Sequence, residues 1–283
     1  MRCMARRLRK PPLRIQPTTL WDYPSQHYGD DVQGDPDYAG ATPSYIIWNL
    51  LQRYTRPGNR VVDPCCGSGT TLDVCRDLKR RGVGFDLSPR RPDIACADAR
   101  RLPLADASVD FVFIDPPYST HIDYSDDPRC IGNLHVTAGY YQAMEQVIAE
   151  IDRVLKPNRH MALYVSDSYE HGSGPTRGFH PIGFELFDRL RHRFVPVDIV
   201  SVVRHNRTLE MGNYRAAAER ENFFLRGFNY LLIMRKGKPA GGNRAAEHSG
   251  KGRAADKARR SKGAGPRRAK RKRPSGRGRG DRA

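Results

Sequence analysis

Three short apolar runs in the first half of the chain, NRVVD (59–63), GVGFD (82–86) and VDFVFID (109–115), end in an aspartate, and a fourth, DIACAD (93–98), has Asp98 at its close. The stretch SGTTLDVCRDLKR (68–80) between the first two reads as a helix, and an amphipathic helix is predicted around Tyr140–Leu155. A strand HMALYVSD (160–167) and a helix near Phe184–Arg191 follow, then the apolar segments FVPVDIVSVVRH and NFFLRGFNYLLIMRK. Strands alternating with helices predict an α/β fold, an open and mostly parallel sheet covered on both faces. Such sheets bind ligands at the carboxyl ends of their strands. A single strand-end aspartate also serves as a helix cap or turn former. Asp63, Asp86, Asp98 and Asp115 on one edge point instead to a site.

Charge divides the chain. The formal net charge is +18, yet residues 236–283 carry 18 Lys and Arg against 3 acids and residues 1–14 add six basic groups, which leaves 15–235 at −3. A basic N-terminal arm (1–17), a globular domain (18–236) and a tail (237–283) ending in GPRRAKRKRPSGRGRGDRA are therefore expected. The tail has almost no large apolar residues to offset its ordering entropy and reads as disordered. It suits a nucleic-acid arm that neutralises phosphates, or a solubilising extension.

No segment approaches the roughly 18 apolar residues of a membrane span, and MRCMARRLRKPP lacks an apolar signal core, so a cytoplasmic protein is expected. The cysteines at 3, 65, 66, 75, 96 and 130 form no C-x-x-C pair, and the nine histidines form neither H-x-x-x-H nor H-E-x-x-H. Reduced thiols are expected and no metal is implied.

Between the first strand and its helix lies DPCCGSGTT, where Gly67 and Gly69 allow backbone to approach a ligand and Ser68, Thr70 and Thr71 supply hydroxyls at a helix N-terminus. No lysine follows Gly69, which excludes a phosphate-cradling P-loop, and Leu72 excludes the dinucleotide fingerprint. The loop suits a nucleoside-type ligand without a pyrophosphate. Asp86, closing the second strand, is placed to accept hydrogen bonds from ribose hydroxyls.

The series VVDPCCGSGTT, GFDLS, ADARRLP and DPPY resembles the motifs of the S-adenosylmethionine-dependent amino-methyltransferases, the N6-adenine and N4-cytosine DNA methylases. ATPSYIIWNLLQRYTRPG resembles the helix preceding their glycine loop, and the likeness runs from about Leu20 to Lys236. It implies a Rossmann-like class I methyltransferase, a seven-stranded sheet whose last strand, here NYLLIMRK, is antiparallel. S-adenosylmethionine is the cofactor it implies. The family pattern puts Asp63, Gly67 and Gly69 against the methionine part, Ser68 and Thr70 on its carboxylate, Asp86 on the ribose and Asp98 on the adenine amino group. Cys65 and Cys66 stand where the family often has Phe or Ala, and are taken as packing.

The catalytic turn implied is Asp115-Pro116-Pro117-Tyr118. An exocyclic amino nitrogen is a poor nucleophile because its lone pair is delocalised into the ring. Asp115 and the Pro116 carbonyl can each accept one N–H, the prolines fix the turn, and Tyr118 offers a stacking face. A base inside a duplex must be flipped out to reach such a pocket. DNA is thus the expected partner, with adenine ahead of cytosine because DPPY is commoner for adenine in the family. RNA is the alternative polymer, and a binding protein that has lost activity is the alternative class; glutamine methylation uses NPPY, which Asp115 disfavours. Target contacts are expected after the catalytic turn, from His121, Asp123, Tyr124 and Arg129, with Arg204, Arg207, Arg215 and Arg226 as phosphate contacts. Trp21 or Tyr23 would cover the cofactor or pack on the core. Oligomeric state and recognition sequence have no pattern in the chain.

Overall fold

A computed structural model of the chain describes residues 10–38, 40–118, 125–170, 178–205, 209 and 211–237. The chain divides into a unit of residues 1–240 and a second, 241–283, which lies outside the described residues together with most of the tail expected from composition. Within the first unit the strands are β1 (Leu20–Trp21), β2 (Arg60–Asp63), β3 (Arg81–Asp86), β4 (Ile94–Cys96), β5 (Val109–Ile114), β6 (Leu155–Val165), β7 (Ser168–Glu170), β8 (Gly178–His180), β9 (Phe194–Val203) and β10 (Phe228–Lys236). The helices are α1 (Ser44–Tyr54), α2 (Thr70–Asp77), α3 (Tyr140–Val154), α4 (Ile182–Arg191) and α5 (Gly212–Glu221).

One sheet of eight strands runs in the order β1-β9-β10-β6-β5-β2-β3-β4. Every neighbouring pair is parallel except those of β10, which is antiparallel to both β6 and β9. The expected sheet with its antiparallel last strand is present. The eighth strand is an addition: Leu20 and Trp21 pair with Ser201 and Val202 of β9 at the sheet edge. Two residues carry no periodicity, so no local signal announces them.

The pleat sorts the core. Val61, Phe111, Phe113 and Ala162 project to one face, where Ile46, Ile47, Leu50 and Leu51 of α1 cover them. Val62, Val112, Ile114, Met161 and Leu163 project to the other, beneath Met144, Val147, Ile148 and Ile151 of α3 and Leu186 and Leu190 of α4. All six residues of β5 are buried, as a central parallel strand requires. Trp21 and Tyr23 belong to the α1 side, with Tyr23 stacked on Tyr45 at a centroid distance of 4.9 Å. Core packing is their observed role, and Tyr23 also reaches a groove edge.

Two elements carried no expectation. Beyond the strand expected at 160–167, Ser168–Glu170 and Gly178–His180 pair antiparallel as the β7–β8 hairpin. Residues 212–221, between the apolar segments FVPVDIVSVVRH and NFFLRGFNYLLIMRK, form α5, which buries none of its residues. Without an apolar stripe its helical period is invisible to a hydrophobicity reading.

Candidate active site

β2, β3 and β5 end at one edge because their registers align: Val61 lies opposite Phe111, and Asp63 opposite Gly84. Asp63 is buried and accepts hydrogen bonds from the Cys65 N–H (3.1 Å) and the Thr71 hydroxyl (2.5 Å). Burial, reinforced by the nearby Asp115 and Asp86, pushes its carboxyl up to about 7.

The glycine loop then bends over this acid. Gly67 and Gly69 have φ of 45° and 81°, in the left-handed region, and Gly69 caps α2. The Gly67 N–H donates to Asp86 at 3.0 Å and the Ser88 N–H donates to its other oxygen at 2.9 Å. Each carboxylate oxygen offers about two lone pairs, so Asp86 keeps acceptor capacity. Cys66 Sγ would lie 2.5 Å from a Cβ on Gly84, which explains a glycine in β3. Burial pushes both the Cys65 and Cys66 thiols far above the ordinary range, and the two cysteines act as packing here.

Ser68 and Thr70 are buried, with their hydroxyls 2.8 Å apart. Above them lies Gly34 at φ +83°, where an added Cβ would stand 2.4 Å from Thr70 Oγ1 and 2.8 Å from Ser68 Oγ. Gly34→Ala should therefore displace both hydroxyls and cost more than ~1 kcal/mol through the backbone conformation alone. A thermal melt should show the loss of stability, and calorimetric titration should show about tenfold weaker cofactor binding, the equivalent of ~1.4 kcal/mol.

Asp115 follows β5 at the floor of the cleft. Thr42 donates to its Oδ2, and the Tyr118 hydroxyl donates to Oδ1 at 2.5 Å. Burial pushes its carboxyl up to about 7, while those two hydrogen bonds and the Arg204 charge oppose the shift. Pro116 is buried and Pro117 lines the cleft.

Two recesses share Tyr38, Cys65 and Asp115 as walls. The first is lined by Asp86, Ser88, Ala97, Asp98 and Ile131, and the second by Asp63, Gly67, Ser68, Thr70 and Thr42. Every cofactor residue named from the sequence except Gly69 thus lines one of them. Asp98 is more engaged than expected: Arg100 donates to both its oxygens from the side chain, at 2.6–3.1 Å, and to one from the backbone. Burial pushes the Asp98 carboxyl up, but these hydrogen bonds outweigh it and hold the carboxyl below its ordinary value.

A wider groove of about 670 Å³ opens beside Tyr118, lined by Tyr23, Tyr164, Ser166, Tyr169, Arg204 and Arg226 among others. Arg204 donates to Ser166, Arg226 lies over the Phe179 ring, and Arg215 is tied to the Leu209 carbonyl. Arg129 pairs with Asp127. His121, Asp123, Tyr124 and Arg207 lie outside the described residues.

Tyr38 and Thr42 were not anticipated. Tyr38 lies against Gly67 with Arg90 over its ring at 5.2 Å, and burial with the nearby Asp86 and Asp115 pushes its phenol upward. The available signal was the turn-rich GDPDYAGATPS just ahead of α1, which places hydroxyl groups in a loop with glycines on both sides.

Compared with known families, the chain matches the N6/N4 methyltransferase family, described as DNA methylase, over residues 5–96 and 109–279. It is 42% identical over 53 residues to the Type II methyltransferase M.Cfr9I of Citrobacter freundii, covering 19% of this chain and 18% of that protein. The Type II methyltransferase M.HpaI of Haemophilus parainfluenzae is 27% identical over 79 residues, covering 28% and 24%. These aligned segments span less than a quarter of either relative. Among solved structures, the [4+2]-cyclase SpnF is 18% identical with a TM-score of 0.46, over 75% of this chain and 89% of that one. A Burkholderia thailandensis 1,6-didemethyltoxoflavin-N1-methyltransferase is 18% identical with a TM-score of 0.45, over 71% and 80%. The strand order itself is that of a Rossmann-like class I methyltransferase. No helix among the described residues is long and apolar enough to cross a membrane.

Proposed function

This chain belongs to the N6/N4 DNA methylase family, and on that premise we propose that it methylates an exocyclic amino group of a flipped-out base in DNA, adenine N6 ahead of cytosine N4. The carrying observation is Asp115, a carboxylate held by Thr42 and Tyr118 between the two recesses and beside the wider groove. S-adenosylmethionine, when bound, supplies an electrophilic methyl group on a sulfonium centre.

The chain's residues do the positioning. Asp86 retains lone pairs for the ribose hydroxyls, and Asp98 lines the adenine side of the same recess. Asp63, Gly67, Ser68 and Thr70, which line the second recess, would hold the methionine part, the two hydroxyls taking its carboxylate, while Gly69 shapes the turn that carries them. Asp115 accepts one amino N–H and the Pro116 carbonyl the other, which localises the nitrogen lone pair and aims it across the cleft. Pro117 holds the turn, and Tyr118 presents its ring with its hydroxyl anchored on Asp115. Asp115 then holds the departing proton.

The test is incubation with isotopically labelled S-adenosylmethionine and, separately, unmethylated genomic DNA and total RNA, followed by digestion and mass spectrometry of the nucleosides. N6-methyladenine in DNA supports the full reading, and N4-methylcytosine corrects only the base. Label confined to RNA overturns the DNA assignment, and absence of label in both overturns the activity.

The basic arm yields a further expectation. Deleting residues 237–283 should weaken DNA binding and make log K fall less steeply with log salt, because fewer counterions are released, with a slope change of about 0.9 for each phosphate the shortened chain no longer neutralises. Filter binding at several salt concentrations measures it; an unchanged slope would show that the tail neutralises no phosphate.

A further inference from the structure

Away from the cleft, the segment leading into α3 meets the β7–β8 hairpin at three side chains. His135 Nε2 lies 2.5 Å from Glu170 Oε1, and His180 Nε2 lies 3.9 Å from Glu170 Oε2. The three ligating atoms all fall within 4.8 Å of one another, and the side chains are only 15–20% exposed. The imidazole rings meet edge to face at 5.7 Å. No other such group of three His, Cys, Asp or Glu side chains occurs among the described residues.

We propose that His135, Glu170 and His180 bind a divalent transition-metal ion, zinc by preference, which fastens the segment before α3 to the hairpin. Two imidazole nitrogens and a carboxylate oxygen are a borderline ligand set that suits zinc, with water completing a tetrahedron. Metal–ligand bonds of about 2.0–2.1 Å at tetrahedral angles place ligand atoms about 3.3 Å apart. The 2.5 Å contact to Oε1 is shorter than that spacing and the 3.9 Å contact to Oε2 is longer, so entry of the ion requires His135 to retract and His180 to close on the carboxylate.

The second nitrogen of His135 is already provided for. Nδ1 lies 2.7 Å from Thr137 Oγ1, which can accept its proton and fix the tautomer that leaves Nε2 bare for the metal. The Thr137 N–H, 3.2 Å from Nδ1, favours the opposite tautomer, and the ion must displace that longer contact. As the metal–nitrogen bond forms, the neutral ring keeps one proton on Nδ1, donated to Thr137 Oγ1, and any second proton held between Nε2 and Glu170 leaves to solvent. The consequence concerns the groove: Ser168 and Tyr169 of the same hairpin form part of its wall, and the ion would hold that wall in place. The three ligands are 10 and 35 positions apart in sequence, with no pair at a familiar metal-binding spacing, which is why the sequence implied no metal.

The test uses full-length protein stripped with chelator, loaded with zinc sulfate, desalted and assayed by inductively coupled plasma mass spectrometry. One equivalent of zinc is expected in the wild type, and less than a tenth in His135→Ala, His180→Ala and the near-isosteric Glu170→Gln. His192→Ala, at the exposed end of α4, should retain it. Thr137→Ala should bind roughly tenfold more weakly, as loss of an outer-shell partner does. Circular dichroism checks that each variant is folded, and zinc should raise the melting temperature of the wild type but not of the three ligand variants. No retained zinc in the wild type, or undiminished zinc in the folded ligand variants, would overturn the site and leave a hydrogen-bonded His–Glu–His cluster.

Discussion

Asp115→Ala should lower methyl transfer by at least ~10³-fold, the scale expected when a group that acts mainly in the transition state is removed, while cofactor affinity stays within about threefold. The separation follows from placement. Asp115 lies between the recesses, and its oxygens accept from Thr42 and Tyr118, whereas the glycine-loop contacts run through Asp63, Asp86 and the loop itself. Single-turnover kinetics and calorimetric titration of the same variant measure the two quantities. Full activity in this variant would remove the mechanism.

The same carboxylate sets the pH dependence. Burial favours the neutral acid and pushes Asp115 up to about 7, so ionisation increases as pH rises through that value. Only the ionised form accepts a hydrogen bond at both oxygens and takes up a proton. kcat/KM should therefore fall about tenfold per pH unit below about 7 and level off above it. Asp63 is pushed up to about 7 as well, so the acid limb belongs to a coupled pair of carboxyls rather than to one residue. A profile flat from pH 5 to 8 would contradict an ionising Asp115.

Asp86→Ala should weaken S-adenosylmethionine binding by about 10²-fold or more. Hydrogen bonds to a charged acceptor contribute ~1.5–3 kcal/mol each, and two ribose hydroxyls would lose theirs. The variant also strands the Gly67 and Ser88 N–H groups, which loosens the loop. The expected signature is a raised KM for cofactor with kcat recovered at saturation. Asp98→Ala should cost less, about threefold, because Arg100 already occupies much of its acceptor capacity. Equal losses in the two variants would mean that the adenine end relies on Asp98 despite Arg100.

Much of this was legible locally. Alternation of buried strands and amphipathic helices implied the sheet, and a strand that ends in aspartate places that acid on the ligand-binding edge whatever the loops do. β5 is readable because burial on both faces selects a continuous apolar run, and Pro116 and Pro117 end it sharply. Gly67 and Gly69 are readable because left-handed backbone favours glycine.

The sequence by itself therefore determined the fold class and the edge on which the acids collect. Both follow from how a short segment buries its own face or bends its own backbone. The tertiary structure decided which distant groups meet: Thr42 on Asp115 across 73 positions, Gly34 over Ser68 and Thr70, and His135 on Glu170 across 35. Polar side chains in loops carry no periodicity, and their partners are chosen by the path the packed core imposes on the chain between them.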